Sequence, residues 1–582
     1  MPFLELPCLV HLPHSHARQA MSQSEDFYAS HSEAGNLSDV GTFSSSDINA
    51  NDETVPTVRP APAHEVGACP SMNHGLVRTA SQVHRSSNLM DEILPTEVLS
   101  LIFSFCLPYF LRHIRGSGPL IFGAVSKKWR ETAWSTPNLW SSISIIIDFN
   151  PQRLSHQTAL AEEWLARSGQ RELSIQVRSQ GRHIDDVMED TEIDYLVFIM
   201  RPLIGVIVQY SYRWKSLELL LPTCLFNHII PRSNNAPLLE RLQIEPPKGS
   251  SRPGDALKFH FTPLLRRVDI KDLKLKTLEL QWDFLTHFSG VGMTVDECLE
   301  VFRRTRRLKH CRFAKIGPNG SEFPIPPNED QILVWTVQRL QLNHRHNFGR
   351  SYLFNTLTLP SLISLQYEGN REMLPVAALS VFITRSRCAL TLLALSAVVV
   401  SDVDLIDFLK LLPALEILQL RSPRGDWIGM SDLLLHYFSL NPLPESAVEV
   451  AKFLPFLTTL HYSGRFTFSW ASLAKMFPIA VLVEDEVVPL SIGIQQPTLG
   501  EAPNFRRRPL HSVIFNFYEN RKAERIPAEV LPRLVAALND GVGIKIFHWE
   551  SLRGTDMLKR EIMEFEATSN IRLVPSNMQT AV

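Results

Sequence analysis

The sequence has no cysteine pair, no surplus of either charge and no apolar run long enough to cross a membrane. Each absence excludes a class of function. The seven cysteines stand at Cys8, Cys69, Cys106, Cys224, Cys298, Cys311 and Cys388, with no CxxC spacing among them. An odd, scattered set excludes a disulfide framework and a thiolate zinc site, and it fits a reducing compartment. Lys plus Arg number 58 against 60 Asp plus Glu, a net charge of -2 over 582 residues. So even a balance offers no broad footprint for a phosphate backbone. The longest apolar stretches are 195–210, interrupted by Arg201 and Pro202, and 389–400. Both are shorter than the roughly 20 residues of a membrane-spanning helix. The opening MPFLELPCLVHLPHSH lacks a basic leader and carries Pro2, Pro7 and Pro13, so it does not read as a signal peptide. The expectation is a soluble protein of the cytoplasm, the nucleus or both.

Catalytic motifs are missing as well. The chain contains no GxxxxGK[ST], HExxH or GxSxG. The pairs Gly290/Gly292 and Gly541/Gly543 lack a third glycine at dinucleotide-binding spacing and read as turns. Asp185, Asp186, Glu189, Asp190, Glu192 and Asp194 read as a solvated helix face. Arg303, Arg304, Arg306, Arg307 and Lys309 close a helical pattern, where cations suit the dipole; Arg506–Arg508 is a second basic run. His344 and His346 read as loop residues, and His11, His14 and His16 as solvated histidines of a tail. These residues lead to the expectation of no enzyme, no cofactor and no metal.

Three regions are present. Residues 1–88 are rich in Ser, His, Asn, Asp and Pro, too polar to offset the entropy of ordering, and are expected to be a disordered tail. From Met90 the pattern sharpens. In DEILPTEVLSLIFSFCLP, Asp91, Pro95 and Glu97 are helix-start signals and Pro108 is a stop. At about 100° per residue, Val98, Leu99, Leu101, Ile102, Phe103, Phe105 and Cys106 fill an arc of roughly 200°. That is wider than one core requires, so the helix should pack on its own domain and on something else. A second helical run follows, PLIFGAVSKKWRETAWSTPNLW, in which Leu120, Val125, Trp129 and Ala133 are expected to line one face. Ser142–Ile147 reads as a strand.

From about residue 146 one form recurs: apolar-x-x-apolar-x-apolar. It begins at Trp214, Leu239, Leu265, Leu275, Leu308, Val337, Leu362, Leu390, Leu415, Leu457 and Leu510. Leu217 to Leu242 is 25 residues, Leu242 to Val268 is 26, and Leu393 to Leu418 is 25. Helical patterns such as VDECLEVFRRTRR and DVDLIDFLKLLP lie between, so a strand–helix alternation with a parallel sheet is expected. Breaks at Glu245–Gly254, Gly317–Asn328 and Gln495–Pro509 read as surface insertions.

The segment 91–145 resembles an F-box of the type common in mushroom-forming fungi. The resemblance rests on Ile93-Leu94-Pro95-Thr96-Glu97-Val98-Leu99, Ile102-Phe103, Val125-Ser126-Lys127-Lys128-Trp129-Arg130, Ala133, Thr136-Pro137 and Leu139-Trp140-Ser141. It departs from the family at Ser126, where Cys is usual, and in the insertion Leu107–Gly118. The resemblance implies an α/β architecture: a helical F-box module at 89–145, then an irregular leucine-rich-repeat-like solenoid over 146–582. It implies docking on the Skp adaptor of a Skp–cullin–F-box ubiquitin ligase through Leu94, Pro95, Val98, Leu99, Ile102, Val125 and Trp129. The repeats would then select a protein substrate. Strand positions between the leucines, Glu218, Gln243, Glu279, Gln341, Gln366 and Gln419, are the expected lining of that surface. The alternative is a repeat scaffold that binds protein partners without ubiquitin chemistry.

Overall fold

A computed structural model of the chain describes residues 94–106, 118–147, 149–179, 190–229, 231, 235–247, 256–318, 320, 323, 331–344, 349–422, 430–439, 453–477, 510–518, 525–550 and 553–569. All belong to one compact unit of residues 85–582. The expected tail 1–88, with His11, His14 and His16, lies outside the described residues, as do Asp91, His346 and most of the three expected insertions.

The N-terminal part is helical: α1 (Thr96–Cys106), α2 (Leu120–Gly123) and α3 (Lys127–Trp134), closed by a 3-10 turn at Pro137–Trp140. Pro95 sits just before α1 and its carbonyl accepts from the Leu99 amide at 3.1 Å. Here the second helical run departs from expectation. It breaks at Ala124–Ser126, where the Ser126 side chain takes over as N-cap of α3 and accepts from the Trp129 amide. The break resets the helical phase, so Leu120 and Val125 are exposed, while Trp129 is half-buried and Ala133 buried.

The rest is one open sheet of 15 strands in which spatial order follows chain order. The strands are β1 (Ser142–Ile147), β2 (Leu173–Ser179), β3 (Trp214–Leu220), β4 (Arg241–Ile244), β5 (Arg267–Lys271), β6 (His287–Val291), β7 (His310–Ile316) and β8 (Arg339–His344). They continue as β9 (Ser364–Met373), β10 (Leu392–Val399), β11 (Ile417–Arg421), β12 (Thr459–Gly464), β13 (Ser512–Tyr518), β14 (Gly543–Glu550) and β15 (Arg553–Asp556). Pairing is parallel from β1 to β14, and β14–β15 is antiparallel. The order never reverses, so this sheet has no switch-point crevice of the doubly-wound kind. The crossovers include α4 (Pro151–Arg167), α5 (Asp190–Gln209), α6 (Val295–Arg304), α7 (Arg350–Thr356), α8 (Val376–Ser386), α9 (Asp402–Lys410), α10 (Asp432–Ser439), α11 (Trp470–Lys475) and α12 (Leu531–Asn539); α13 (Met557–Ser569) follows β15.

The recurring leucines explain the stacking. The register aligns Leu217, Leu242, Val268, Phe288, Cys311, Leu340, Leu365, Leu393, Leu418, Leu460, Val513 and Ile544 in one row, every member buried. Helix residues such as Leu299 and Phe302 of α6 and Leu405 and Leu409 of α9 join the same core. From β4 onward burial alternates along the strands, the mark of a sheet with one covered face.

One expected repeat departs from this frame, and one strand of the sheet was not expected. Leu275-x-x-Leu278-x-Leu280 is not a strand of the sheet: Leu275–Thr277 is a 3-10 turn, and Leu278–Glu279 pairs, among the described residues, with Leu257–Lys258. The strand at this level is β6. Its third apolar position is Gly290, where an added Cβ would lie 2.2 Å from the Met293 sulfur. Met293 fills the space that a leucine fills elsewhere, so the strand escapes the pattern. Gly290 is thus a strand residue, while Gly292 takes the turn with φ 81°. His344, expected in a loop, is the buried last residue of β8.

Candidate functional site

Two surfaces stand out, one on the helical module and one on the sheet. The module has its own small core of Leu99, Phe103, Phe122, Ala133, Leu139 and Trp140. Phe103 stacks on Phe122 with centroids 4.2 Å apart and meets Trp129 at 4.9 Å. Polar anchors fix the helices: Lys128 Nζ donates to the Leu94 carbonyl at 3.0 Å, Arg130 Nε to that of Gly123 at 2.8 Å, and Trp140 Nε1 to that of Ala133 at 2.8 Å. A Cβ on Gly123 would lie 2.5 Å from the Trp134 ring, so this close approach of α2 and α3 needs glycine. The module joins the sheet through Trp140, whose ring meets Trp164 of α4 edge-on at 4.9 Å, and through Arg167 of α4, which lies over the rings of Trp134 and Trp140.

With Leu99 and Phe103 turned inward, α1 presents a second apolar face. Leu101 is 59% exposed and Phe105 83%, and Val98 and Ile102 are also exposed. On a helical wheel these four fall within an arc of about 100°. Leu120, Ile121 and Val125 add exposed apolar surface from α2 and the turn after it. Of the expected docking residues, Val98, Ile102, Val125 and Pro95 are exposed, Leu94 and Trp129 are half-buried, and Leu99 belongs to the core. Leu101, Phe105, Leu120 and Ile121 are exposed on the same module but are not among the expected docking residues, although the first two lie on the same wide arc.

On the sheet, the register brings five of the six expected lining residues into one outward row. It runs Ser144, Gln176, Glu218, Gln243, Asp269, Ser289, Arg312, Gln341, Gln366, Ala394, Gln419, His461, Ile514 and Lys545. Glu279 is off this row, because its segment is not a strand of the sheet; it lies 3.0 Å from Lys258. Glu218 is on the row but only 8% exposed, against expectation. There Ser144 donates to Gln176, and Gln176 Nε2 donates to Glu218 Oε2, both at 2.7 Å. Gln341 Nε2 donates to Gln366 Oε1 at 2.9 Å, and Arg421 to Gln419 at 2.8 Å. Near the other end, Asn516 Nδ2 meets His461 Nε2 at 2.8 Å, and Trp549 Nε1 donates to Asn516 Oδ1 at 3.2 Å. Burial, and then Arg421, hold the His461 imidazole below its ordinary range.

An open cleft is lined by residues including Phe259, His260, Glu279, Trp282, Arg304 and Phe323. Arg304 lies over the Trp282 and Phe323 rings and is bound by Glu300 at 2.8 Å. Among the described residues no cluster of three or more His, Cys, Asp or Glu is placed to hold a metal ion. No described helix is long and apolar enough to cross a membrane. Models of known protein families and curated proteins give no match to this chain.

Proposed function

We propose that this protein is a non-catalytic substrate-recognition adaptor of a Skp–cullin–F-box ubiquitin ligase. In this reading 89–145 is the F-box and 146–582 is an irregular leucine-rich-repeat solenoid that holds a protein substrate. The observation that carries it is the second apolar face of α1. A module whose core is already filled by Leu99, Phe103 and Phe122 still exposes Val98, Leu101, Ile102 and Phe105 on one side. A sizeable exposed apolar patch marks an interaction site, and the F-box resemblance names the Skp adaptor as the partner. The chain would supply proximity and orientation, while partner proteins carry the chemistry.

The test is co-purification of the full chain with the Skp adaptor, read as a one-to-one complex on gel filtration. Ile102→Asp should abolish the complex and leave circular dichroism unchanged, because Ile102 is outside the module core. A complex that survives Ile102→Asp and Phe105→Asp together overturns docking through the outer face of α1, and a folded chain that forms no complex sinks the adaptor reading. A second reading, a repeat scaffold without ligase assembly, is favoured by the packing of Trp140 and Trp134 on α4. That packing would make the module an end cap for the sheet. A folded chain that forms no adaptor complex selects it.

A further inference from the structure

Two residues before each member of the outward row, β4 to β8 carry Arg241, Arg267, His287, His310 and Arg339, each beside the next in register. Strands lie about 4.8 Å apart, so this second row runs about 19 Å, the length of about six residues of extended chain. Charge along it is one-sided. Just after β4 and on β5 the carboxylates are already engaged: Glu245 with Lys271, and Asp269 at 2.8 Å from Arg267 and 3.8 Å from Arg241. β6, β7 and β8, HFSGV, HCRFAKI and RLQLNH, contain no carboxylate. Arg312 and Arg339 are exposed there, and neither has an ion pair among the described residues; Lys309 and Lys315 flank them, also exposed. Beyond Arg339 the row turns to Ser364, Leu392 and Ile417, so the basic stretch has an end.

The two histidines sit at its centre. Their rings stack with centroids 4.4 Å apart and planes at 26°. The Thr286 hydroxyl donates to the Arg266 carbonyl at 3.1 Å, so its oxygen is the acceptor for Nδ1–H of His287 at 2.9 Å. Nε2 of His287 is then the nitrogen left to take a second proton. Partial burial lowers both imidazoles first. His310, Arg267 and Lys309 add to this at His287, where Asp269 opposes, and Arg339 and Lys309 add to it at His310. Both imidazoles are thus held below their ordinary range, and a carboxylate seated on them would reverse part of that shift.

We propose that the outer face of β4–β8 docks an extended acidic segment of a partner protein, about six residues long. The inference rests on the adaptor reading and deepens it by giving the chemical class of the substrate. A continuous phosphate chain fits less well, because Asp269 and Glu245 interrupt the patch and the chain as a whole carries no cationic excess. Carboxylates on alternate residues of a strand recur about every 7 Å, which suits cations on neighbouring and next-neighbouring strands.

The experiment is fluorescence anisotropy of the full chain, without adaptor, against a fluorescein-labelled hexapeptide of Glu and Asp flanked by glycines. Binding should weaken severalfold between about 50 and 200 mM salt, as screening of exposed charge requires. It should tighten about threefold or more from pH 7.5 to 5.5, because the complex takes up protons at His287 and His310. The double variant His287→Gln with His310→Gln should remove that pH response. Arg312→Glu with Arg339→Glu should weaken binding at least about tenfold, roughly 1.4 kcal/mol. Lys545→Glu, on the same face nine strands from β5, should leave it unchanged. Equal binding by the Arg312/Arg339 reversal, equal loss with Lys545→Glu, or tighter binding of a single-stranded oligonucleotide to the same surface would each overturn the proposal. An adaptor complex without peptide binding overturns this surface alone. Peptide binding by a chain that forms no adaptor complex supports the surface and overturns the ligase reading alone.

Discussion

Asp296 and Glu297 open α6 fully buried, which a solvated carboxylate would resist unless its oxygens were satisfied. They are satisfied by backbone. Asp296 accepts from the Gly320 and Phe323 amides at 2.7 and 3.2 Å, and Glu297 from the Leu275 and Thr294 amides at 2.7 and 2.9 Å. Glu297 thus completes the capping box of α6 and also holds the 3-10 turn that replaces the expected strand at Leu275. Glu297→Ala should lower stability by about 2–4 kcal/mol, the cost of a lost cap plus a buried amide left without its acceptor. Urea denaturation of the variant checks this; a loss below about 0.5 kcal/mol would mean the carboxylate is dispensable. VDECLEVF showed the helix from its periodicity. The partner amides at 275, 320 and 323 were not legible, because a carboxylate's choice among distant amides has no sequence period.

On the scale of an element, α1 separates stability from binding within one turn. Phe103 is buried against Phe122 and Trp129, and its neighbour Ile102 points out. Phe103→Ala should cost about 3–5 kcal/mol by emptying the module core. Ile102→Asp should cost less than about 1 kcal/mol. Thermal unfolding followed by tryptophan fluorescence near Trp129 and Trp140 distinguishes them; equal losses would show that the outer face of α1 is packed rather than free. The wide apolar arc was legible in the sequence at 100° per residue. Which half of it turns inward was not, since Leu99 and Ile102 are equally apolar and only the position of Phe122 decides. The same holds for the second helical run. Its residues suggest one face, but the Ser126 cap divides it and turns Leu120 and Val125 outward.

Across the whole molecule, every strand from β2 to β14 pairs with its two neighbours in chain order, so a local defect should stay local. Leu418→Ala, in the buried row of β11, should raise amide hydrogen exchange in β10–β12 by the factor that about 2–5 kcal/mol implies. Exchange in β2–β4 should be unchanged. Uniform acceleration from β2 to β14 would instead mean that the sheet unfolds as one cooperative unit.

The sequence by itself determined the parallel stack, because a strand core that recurs at near-constant spacing has one way to bury every leucine against its neighbours. It also determined that Gln243, Gln341, Gln366 and Gln419 share a face, since side-chain direction alternates along a strand. The tertiary structure alone decided that Glu279 leaves that face, that Gly290 with Met293 substitutes for a leucine at β6, and that Glu218 is covered. Each of these depends on atoms distant in sequence competing for one volume. The row of Arg241, Arg267, His287, His310 and Arg339 likewise exists only in register: its members lie on five different strands, and no local pattern links them until the strands pair.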